Sequence, residues 1–422
     1  APRRYPPYLI TRIGNLLLSF LTGGKSSTLV TLLRELSFLD PQPNVGDILS
    51  NPQMFSLFQA HYEKSFRKTS FHHYFWAMRV LLGGLLTMLL TPFPQARVYH
   101  TVSTGFAGLL AARASFQSGR PAFVTEHGIY LLERQIEVMM ANWIGDQTET
   151  GLALDRADYD LRDLWIKAFQ SYTKACYNAC NPIISLYGAN SLAQKRLGAP
   201  GERLKIIPNG IDPGRFTNHQ DERDPVYPLV ALIGRVVPIK DIKTYIRAAA
   251  QVHARVPNAR FVVMGPEDED KDYAADCRAL VTELGLDHVF EFAGMVDIAG
   301  WMPKIDVLVM TSLSEAQRLV ILEGGICGIP VVAPDVGSCR DLIEGAGRGG
   351  DKPGGIVTAL VDPEDTARAI TKLLRGPDMR DRMGVDLRER IVRDYDRNSV
   401  VAQYRDLYQQ LGAMPKRLAL HA

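Results

Sequence analysis

Ile305-Asp-Val-Leu-Val-Met-Thr-Ser312, Ser314-Glu-Ala-Gln-Arg-Leu-Val-Ile-Leu-Glu323 and Pro330-Val-Val-Ala-Pro334 follow one another, and the fold follows from reading them together. The first and third are short apolar runs, the pattern of strands buried on both faces in a parallel sheet. The middle stretch predicts the crossover helix that such strands need. Its first turn therefore opens at the carboxyl edge of the sheet, where free backbone N–H groups and the positive dipole end can hold a phosphate. Glu315 falls just before that helix and Glu323 two turns into it, which suits gripping hydroxyls at both ends of a nucleotide sugar. Taken alone, two glutamates near a helix start are ordinary dipole chemistry.

Support comes from Val230-Ala-Leu-Ile-Gly-Arg-Val-Val-Pro-Ile-Lys240. A short apolar strand ends at Gly234, and Arg235 and Lys240 follow on the loop that opens the next helix, again at the carboxyl edge. Two fixed cations there can neutralise a leaving diphosphate, a task that many sugar-nucleotide enzymes give to a divalent metal. No metal is expected. Asp268-Glu-Asp270 lies in an acidic run with Glu267 and Asp272 and reads as a solvated loop, and no histidine has H-E-x-x-H or other ligand spacing.

Gly234-Arg235 with Lys240, Arg260-Phe-Val-Val-Met-Gly265, Phe292-Ala-Gly294, the E-x7-E of Glu315 and Glu323, and Gly328-Ile-Pro-Val-Val-Ala333 together resemble the donor half of a GT4-type retaining glycosyltransferase. In the N-terminal half, Val98-Tyr-His-Thr-Val-Ser103 with Gly105 and Leu109-Leu110, Gly119-Arg-Pro121, and Thr125-Glu-His-Gly-Ile-Tyr130 with Glu133-Arg134 are similar to the PelF family of Pel exopolysaccharide glycosyltransferases. The likeness runs over residues 60 to 410. It implies the α/β GT-B fold, two Rossmann-like doubly wound domains facing a cleft. It also implies metal-independent, retaining transfer of a hexosyl unit from a UDP-sugar, UDP-glucose or a related UDP-hexose, to a growing exopolysaccharide of a biofilm. Arg235 and Lys240 would hold the diphosphate with the N–H groups of Gln317, Leu319 and Val320. Glu323 would accept hydrogen bonds from the ribose, Glu315 from the donor sugar, and His127 would contact that sugar from the end of its strand. Glu315, His127, Arg235 and Lys240 are thus the expected catalytic set. The implied partners are the polysaccharide acceptor and inner-membrane synthase components.

Two departures stand out. The family pattern is approximately S-E-G-x-P-L-V-x-x-E-A-M, whereas this chain has Ala316, Arg318 and Gly324-Gly325 at the glycine, proline and Ala-Met positions. If residue 316 needs a positive φ, alanine there costs on the order of 1 kcal/mol, and each glycine inside the helix costs about 1 kcal/mol relative to alanine. The first forty residues also lack the opening strand and Gly-rich loop of this group. Leu21-Thr-Gly-Gly-Lys-Ser-Ser27 mimics a phosphate loop, but Ser19 holds its leading glycine position and no strand precedes it.

A chain of 422 residues, 46% of them apolar, can build two cores. A net charge of +2 with scattered basic residues gives no footprint for nucleic acid. Five cysteines do not make a disulfide framework, and Cys176 and Cys180 are too isolated for a zinc site, so a reduced, cytosolic setting is expected, with a peripheral place at the inner membrane as an extension. Val80 to Leu90 is short of the roughly 20 apolar residues of a spanning helix and reads as a buried helix. Arg3 and Arg4 with Leu16-Leu-Leu-Ser-Phe-Leu21 faintly imitate a signal peptide, and Ala1 in place of Met suggests a processed, trimmed or divergent start.

Short strands are expected near residues 97 to 102, 122 to 126, 181 to 186 and 204 to 207, and then near 229 to 234, 260 to 264, 289 to 293, 306 to 311, 330 to 333 and 355 to 357. The predicted organisation is a divergent or loosely ordered segment over 1–60, an acceptor domain over 61–210, a donor domain over 211–377, and helices over 378–422 that return to the first domain. Pro208-Asn-Gly-Ile-Asp-Pro-Gly214 marks the crossing. Rival readings are a nucleotide-sugar epimerase or polymerase on the same architecture, and a non-catalytic subunit of a membrane synthase. An NAD-dependent oxidoreductase is disfavoured, since no G-x-G-x-x-G follows a strand.

Overall fold

The computed structural model describes residues 5–141, 160–216, 222–345 and 351–417. Ala1, Arg3 and Arg4 lie outside the described residues. The chain divides into two compact units, the first made of residues 1–185, 190–206 and 406–422, the second of residues 186–189 and 207–405.

The first unit holds a four-stranded parallel sheet of β1 (Tyr99–Thr101), β2 (Ala122–Glu126), β3 (Cys180–Ser185) and β4 (Leu204–Ile206), in sequential order. Ala122 and Val124 on one face pack with Tyr177 of the helix Leu161–Ala179. His100 and Phe123, adjacent in register, share the other face. Tyr408 of the helix Arg397–Ala413 covers them, its ring centroid 5.3 Å from that of Phe123. His100 lies parallel to Phe123 at 3.9 Å. Its Nδ1 pairs with Tyr408 Oη at 2.7 Å and its Nε2 with Thr125 Oγ1 at 3.0 Å. Burial, and then the nearby His127, bring its pKa down to about 4. His100 is therefore a neutral fastener between sheet and C-terminal helix.

From Tyr5 on, the described residues of the N-terminal segment are regularly folded. Pro7–Gly23, Ser26–Ser37, Val45–Leu49 and Pro52–Ser65 are helices. Ile10, Ile13, Leu17, Phe20 and Leu21 fall on one helical stripe and are fully buried in a core shared with Leu109, Ala112 and Tyr172. Apolar residues that looked like a weak leader thus form the inner face of an amphipathic helix. The phosphate-loop mimic is a helix corner. Gly24 takes φ +61 as the C-cap, and a Cβ there would stand 3.0 Å from Ser171 Cα.

The apolar run at Val80 belongs to a 20-residue helix, Phe71–Leu90, long and apolar enough to cross a membrane by length and composition. His72, His73 and Arg79 interrupt its first half, which hides its length in the sequence. Here Leu81, Leu82, Leu85 and Leu86 are fully buried in the first unit's core, worth about 1.5–3 kcal/mol per side chain.

The second unit holds a six-stranded parallel sheet. Its strands β5 (Leu229–Ile233), β6 (Arg260–Met264), β7 (Phe290–Gly294), β8 (Val307–Val309), β9 (Val331–Pro334) and β10 (Gly355–Thr358) run in the order β10-β9-β8-β5-β6-β7. The chain steps outward from β5 on one side and then from β8 on the other. The reversal between them is the switch point at which open α/β sheets bind ligands, outside the carboxyl ends of the strands.

The helices after residue 377 do not return as a body to the first unit. Pro377–Asp394 stays in the second unit, because Leu387 and Ile391 are fully buried in its core beside Ile326 and Cys327. Arg390, 3% exposed, donates from Nη1 to Leu342 O and Ile343 O at 2.8 Å. Only from Asp406 does the chain belong to the first unit.

Candidate active site

Lys240 ends the loop after β5, and Glu315 lies in the loop after β8, so the switch point brings them together. Lys240 Nζ donates to Glu315 Oε1 at 2.7 Å, with side chains only 9% and 11% exposed. The two loops are also joined through backbone. Leu313 N donates to Ile239 O at 2.9 Å and Thr311 Oγ1 to Lys240 O at 2.9 Å. Asp241, at φ 46, turns the chain just after Lys240 and caps the helix Ile242–Arg255 by accepting from Thr244 N.

Arg318, three residues beyond Glu315, ion-pairs with the same Oε1 and donates from Nη2 to Ser312 Oγ at 2.8 Å. The carboxylate is thus shared by two cations. Burial lowers the pKa of both Lys240 and Arg318, Glu315 works against that loss, and Arg235 adds to the positive field on each. Arg235 itself is held by Glu269 through Oε1 and Oε2 at 2.6 and 2.7 Å. The acidic run 268–270 therefore contains the partner of a site cation, and its Asp270 caps the helix Lys271–Glu283.

Ala316 is not left-handed; the positive φ nearby belongs to Gly337, at φ 57. A Cβ on Gly337 would stand 2.2 Å from Glu315 O and 2.4 Å from Ala316 O. Ser338 N donates to Ala316 O at 3.0 Å, so the loop after β9 supports the Glu315 loop from beneath. The strain attached to Ala316 is absent. The paired glycines also have a packing reason: a Cβ on Gly324 would meet Leu308 Cδ2 at 2.8 Å, and one on Gly325 would meet Leu387 Cγ at 2.9 Å. Glycine lets the helix Leu319–Ile326 approach β8 and the helix Pro377–Asp394 closely.

No side chain caps the start of the helix Leu319–Ile326, which leaves the N–H groups of Leu319 and Val320 oriented at its amino end. Gln317 is buried, and its Oε1 accepts from Asn209 N at 2.6 Å, fixing the approach to that helix. Glu323 is half-buried. Desolvation raises its pKa, and the positive field of Arg215 opposes the rise.

His127 belongs to the first unit, where it is exposed at the carboxyl end of β2 and its carbonyl accepts from Asn190 Nδ2 at 3.3 Å. The residue before it forms a network that the sequence reading missed. Glu126, 1% exposed, accepts from Tyr177 Oη at 2.6 Å, Gln194 Nε2 at 3.0 Å and Thr104 Oγ1 at 3.3 Å. Burial raises its pKa despite those donors. A carboxylate ending an apolar strand was its only sequence signal. Arg318 and Glu269 were missed as site residues as well; the i, i+3 spacing of Arg318 from Glu315 could have indicated the first.

Among solved structures, HepE of Anabaena in complex with UDP is similar with a TM-score of 0.60 at 20% identity, over 79% of this chain and 82% of that one. Sucrose-phosphate synthase of Thermosynechococcus elongatus gives 0.60 at 21%, over 80% and 79%. These likenesses show the fold: α/β, GT-B. The family model described as glycosyl transferases group 1 matches residues 227–376, all within the second unit. A model described as a domain of unknown function (DUF3492) matches residues 11–202. The D-inositol 3-phosphate glycosyltransferase 2 of Catenulispora acidiphila is 31% identical over 211 residues, 46% of this chain and 45% of that protein. The D-inositol 3-phosphate glycosyltransferase of Kribbella flavida is 28% identical over 214 residues, 48% and 47%. The chain spans less than half the length of these two relatives.

Proposed function

We propose that the chain is a retaining hexosyltransferase that takes a UDP-hexose, UDP-glucose first among them, and extends an exopolysaccharide. The observation that carries this reading is the Lys240–Glu315 pair at the switch point of the second sheet, beside an uncapped helix start. The match to glycosyl transferases group 1 over the same residues supports it, as does the likeness to HepE, solved with UDP and glucose. The exopolysaccharide assignment rests on the N-terminal motifs alone.

In this reading Lys240 and Arg235, with the N–H groups of Gln317, Leu319 and Val320, take the diphosphate, and Glu323 takes the ribose hydroxyls. Glu315 holds Lys240 in place and faces the donor sugar, with His127 as a further sugar contact. The bond from the anomeric carbon to the diphosphate oxygen breaks, the acceptor oxygen bonds to that carbon on the same face, and the acceptor proton passes to the leaving phosphate. The protein contributes positioning and fixed positive charge, and Arg and Lys take the part a divalent metal plays elsewhere. We place the protein in the cytoplasm, peripheral to the inner membrane and working with synthase components there. Arg235→Ala, with an unchanged melting temperature, should abolish sugar transfer; normal turnover by that variant would sink the assignment.

One observation favours a second reading. Glu315 Oε1 is already taken by two cations, which suits a GT-B subunit that binds nucleotide without transfer. UDP binding with no transfer to any acceptor would favour it.

A further inference from the structure

The loops after β1, β2 and β3 leave the carboxyl edge of the first sheet, and one buried side chain ties all three. Glu126, the last residue of β2, is 1% exposed. Thr104, which donates to its Oε1, comes from the loop after β1 and precedes the helix Gly105–Ser118. Gln194, which donates to its Oε2, lies on the helix Gly188–Arg196 that follows β3, and its Nε2 also reaches Ile184 O at 3.4 Å. Tyr177 donates to Oε2 from the helix Leu161–Ala179, and Thr173 of that helix donates to Thr104 Oγ1 at 3.2 Å. The backbone N–H of Tyr130, at the start of the helix Tyr130–Met140, further favours the charged carboxylate.

The ordinary account is a structural clasp. For stability alone a buried carboxylate is a poor choice, because desolvation offsets much of what its partners contribute and an apolar side chain of similar volume often holds a core as well. What the carboxylate adds is direction. Its two oxygens take donors from separate elements and so fix how those elements leave the sheet.

The residue delivered by this arrangement is the next one. His127 is exposed, while its carbonyl accepts from Asn190 Nδ2 at 3.3 Å on the helix after β3. Just beyond it, Gly128 lies so close to Glu133 that a Cβ would collide with Oε1. The imidazole is therefore an exposed ring on a backbone fixed from both sides. Such a group meets a ligand with little further loss of freedom.

We propose, resting on the reading of His127 as a contact of the donor sugar, that Glu126 is a positioning residue for sugar transfer: it acts through His127 and does not touch substrate. The test follows UDP release from UDP-glucose by the full chain in the parent, Glu126→Gln, His127→Ala and the double variant. Glutamine keeps the shape of the side chain and one acceptor oxygen but not the second. Tyr177→Phe, which removes one donor from a different element, serves the same purpose if Glu126→Gln does not fold. Melting temperature and calorimetric UDP affinity monitor folding and the second unit. The expected result is a kcat lowered about tenfold by Glu126→Gln, with KM and UDP affinity held within about twofold, and no further loss once His127 is alanine. A merely structural role would instead give losses that multiply in the double variant. That outcome, or a parent-like kcat in Glu126→Gln, overturns the proposal and leaves the transferase reading standing. A parent that binds UDP but releases none from UDP-glucose defeats the transferase reading, and this inference with it.

Discussion

Glu315 and Arg318 are ion-paired across three residues of the same loop, and Lys240 Nζ reaches the same carboxylate oxygen from the neighbouring loop at 2.7 Å. Arg318 stands where the group's pattern has proline, so this chain holds its first E-x7-E glutamate in an added charge pair. Removing Arg318 should release Glu315 toward a donor sugar while leaving Lys240 in place. Arg318→Ala is therefore expected to raise the ratio of UDP-glucose affinity to UDP affinity severalfold, roughly 1 kcal/mol. Calorimetry with both ligands reads that ratio, and an unchanged ratio would show that Glu315 does not face the sugar.

Gly337 supports the same loop from below. A Cβ there would lie 2.2 Å from Glu315 O, and the residue sits at φ 57. Gly337→Ala must displace the Glu315 backbone and strain its own, costing about 1–3 kcal/mol. The expected outcome is a chain that folds with a lower melting temperature and loses most of its UDP-glucose binding. Parent-like binding would mean that the two loops are not mechanically joined.

His100 gives the first unit a pH dependence. Its folded pKa, about 4, lies below the ordinary value of 6.5, so the unfolded chain binds its proton first as pH falls. The contribution of the neutral ring is fully present above pH 6.5 and is lost progressively between pH 6.5 and 4. Thermal melts over that window should show a larger decline for the parent than for His100→Phe, which keeps the ring against Phe123 but cannot titrate. Parallel declines would contradict the role given to His100.

Much of this architecture was legible in the residues. Strands buried on both faces are written as unbroken apolar runs, and each expected strand position coincides with one observed strand, from Tyr99–Thr101 to Gly355–Thr358. The E-x7-E and the Arg235–Lys240 loop could be placed at a sheet edge for the same reason. The N-terminal helices were harder because their signal is a stripe. Leu17 and Phe20 look like a leader until Ile10 and Ile13 are seen on the same face. The place of Pro377–Asp394 in the second unit is hard to read from sequence because its inner face is sparse, Leu387 and Ile391 among many charges. At the site, pairings between distant loops escaped a linear reading: Arg235 with Glu269, and Gly337 beneath Glu315.

The central claim is that the second unit binds a nucleotide sugar at its switch point through Lys240. Calorimetric titration of UDP and UDP-glucose into the intact chain and into Lys240→Ala tests it most directly. The account predicts saturable binding by the intact chain and a loss of about tenfold to a hundredfold in the variant, the range for one charge-assisted contact to a phosphate. Equal affinity in the two proteins, or no binding by the intact chain, would contradict it.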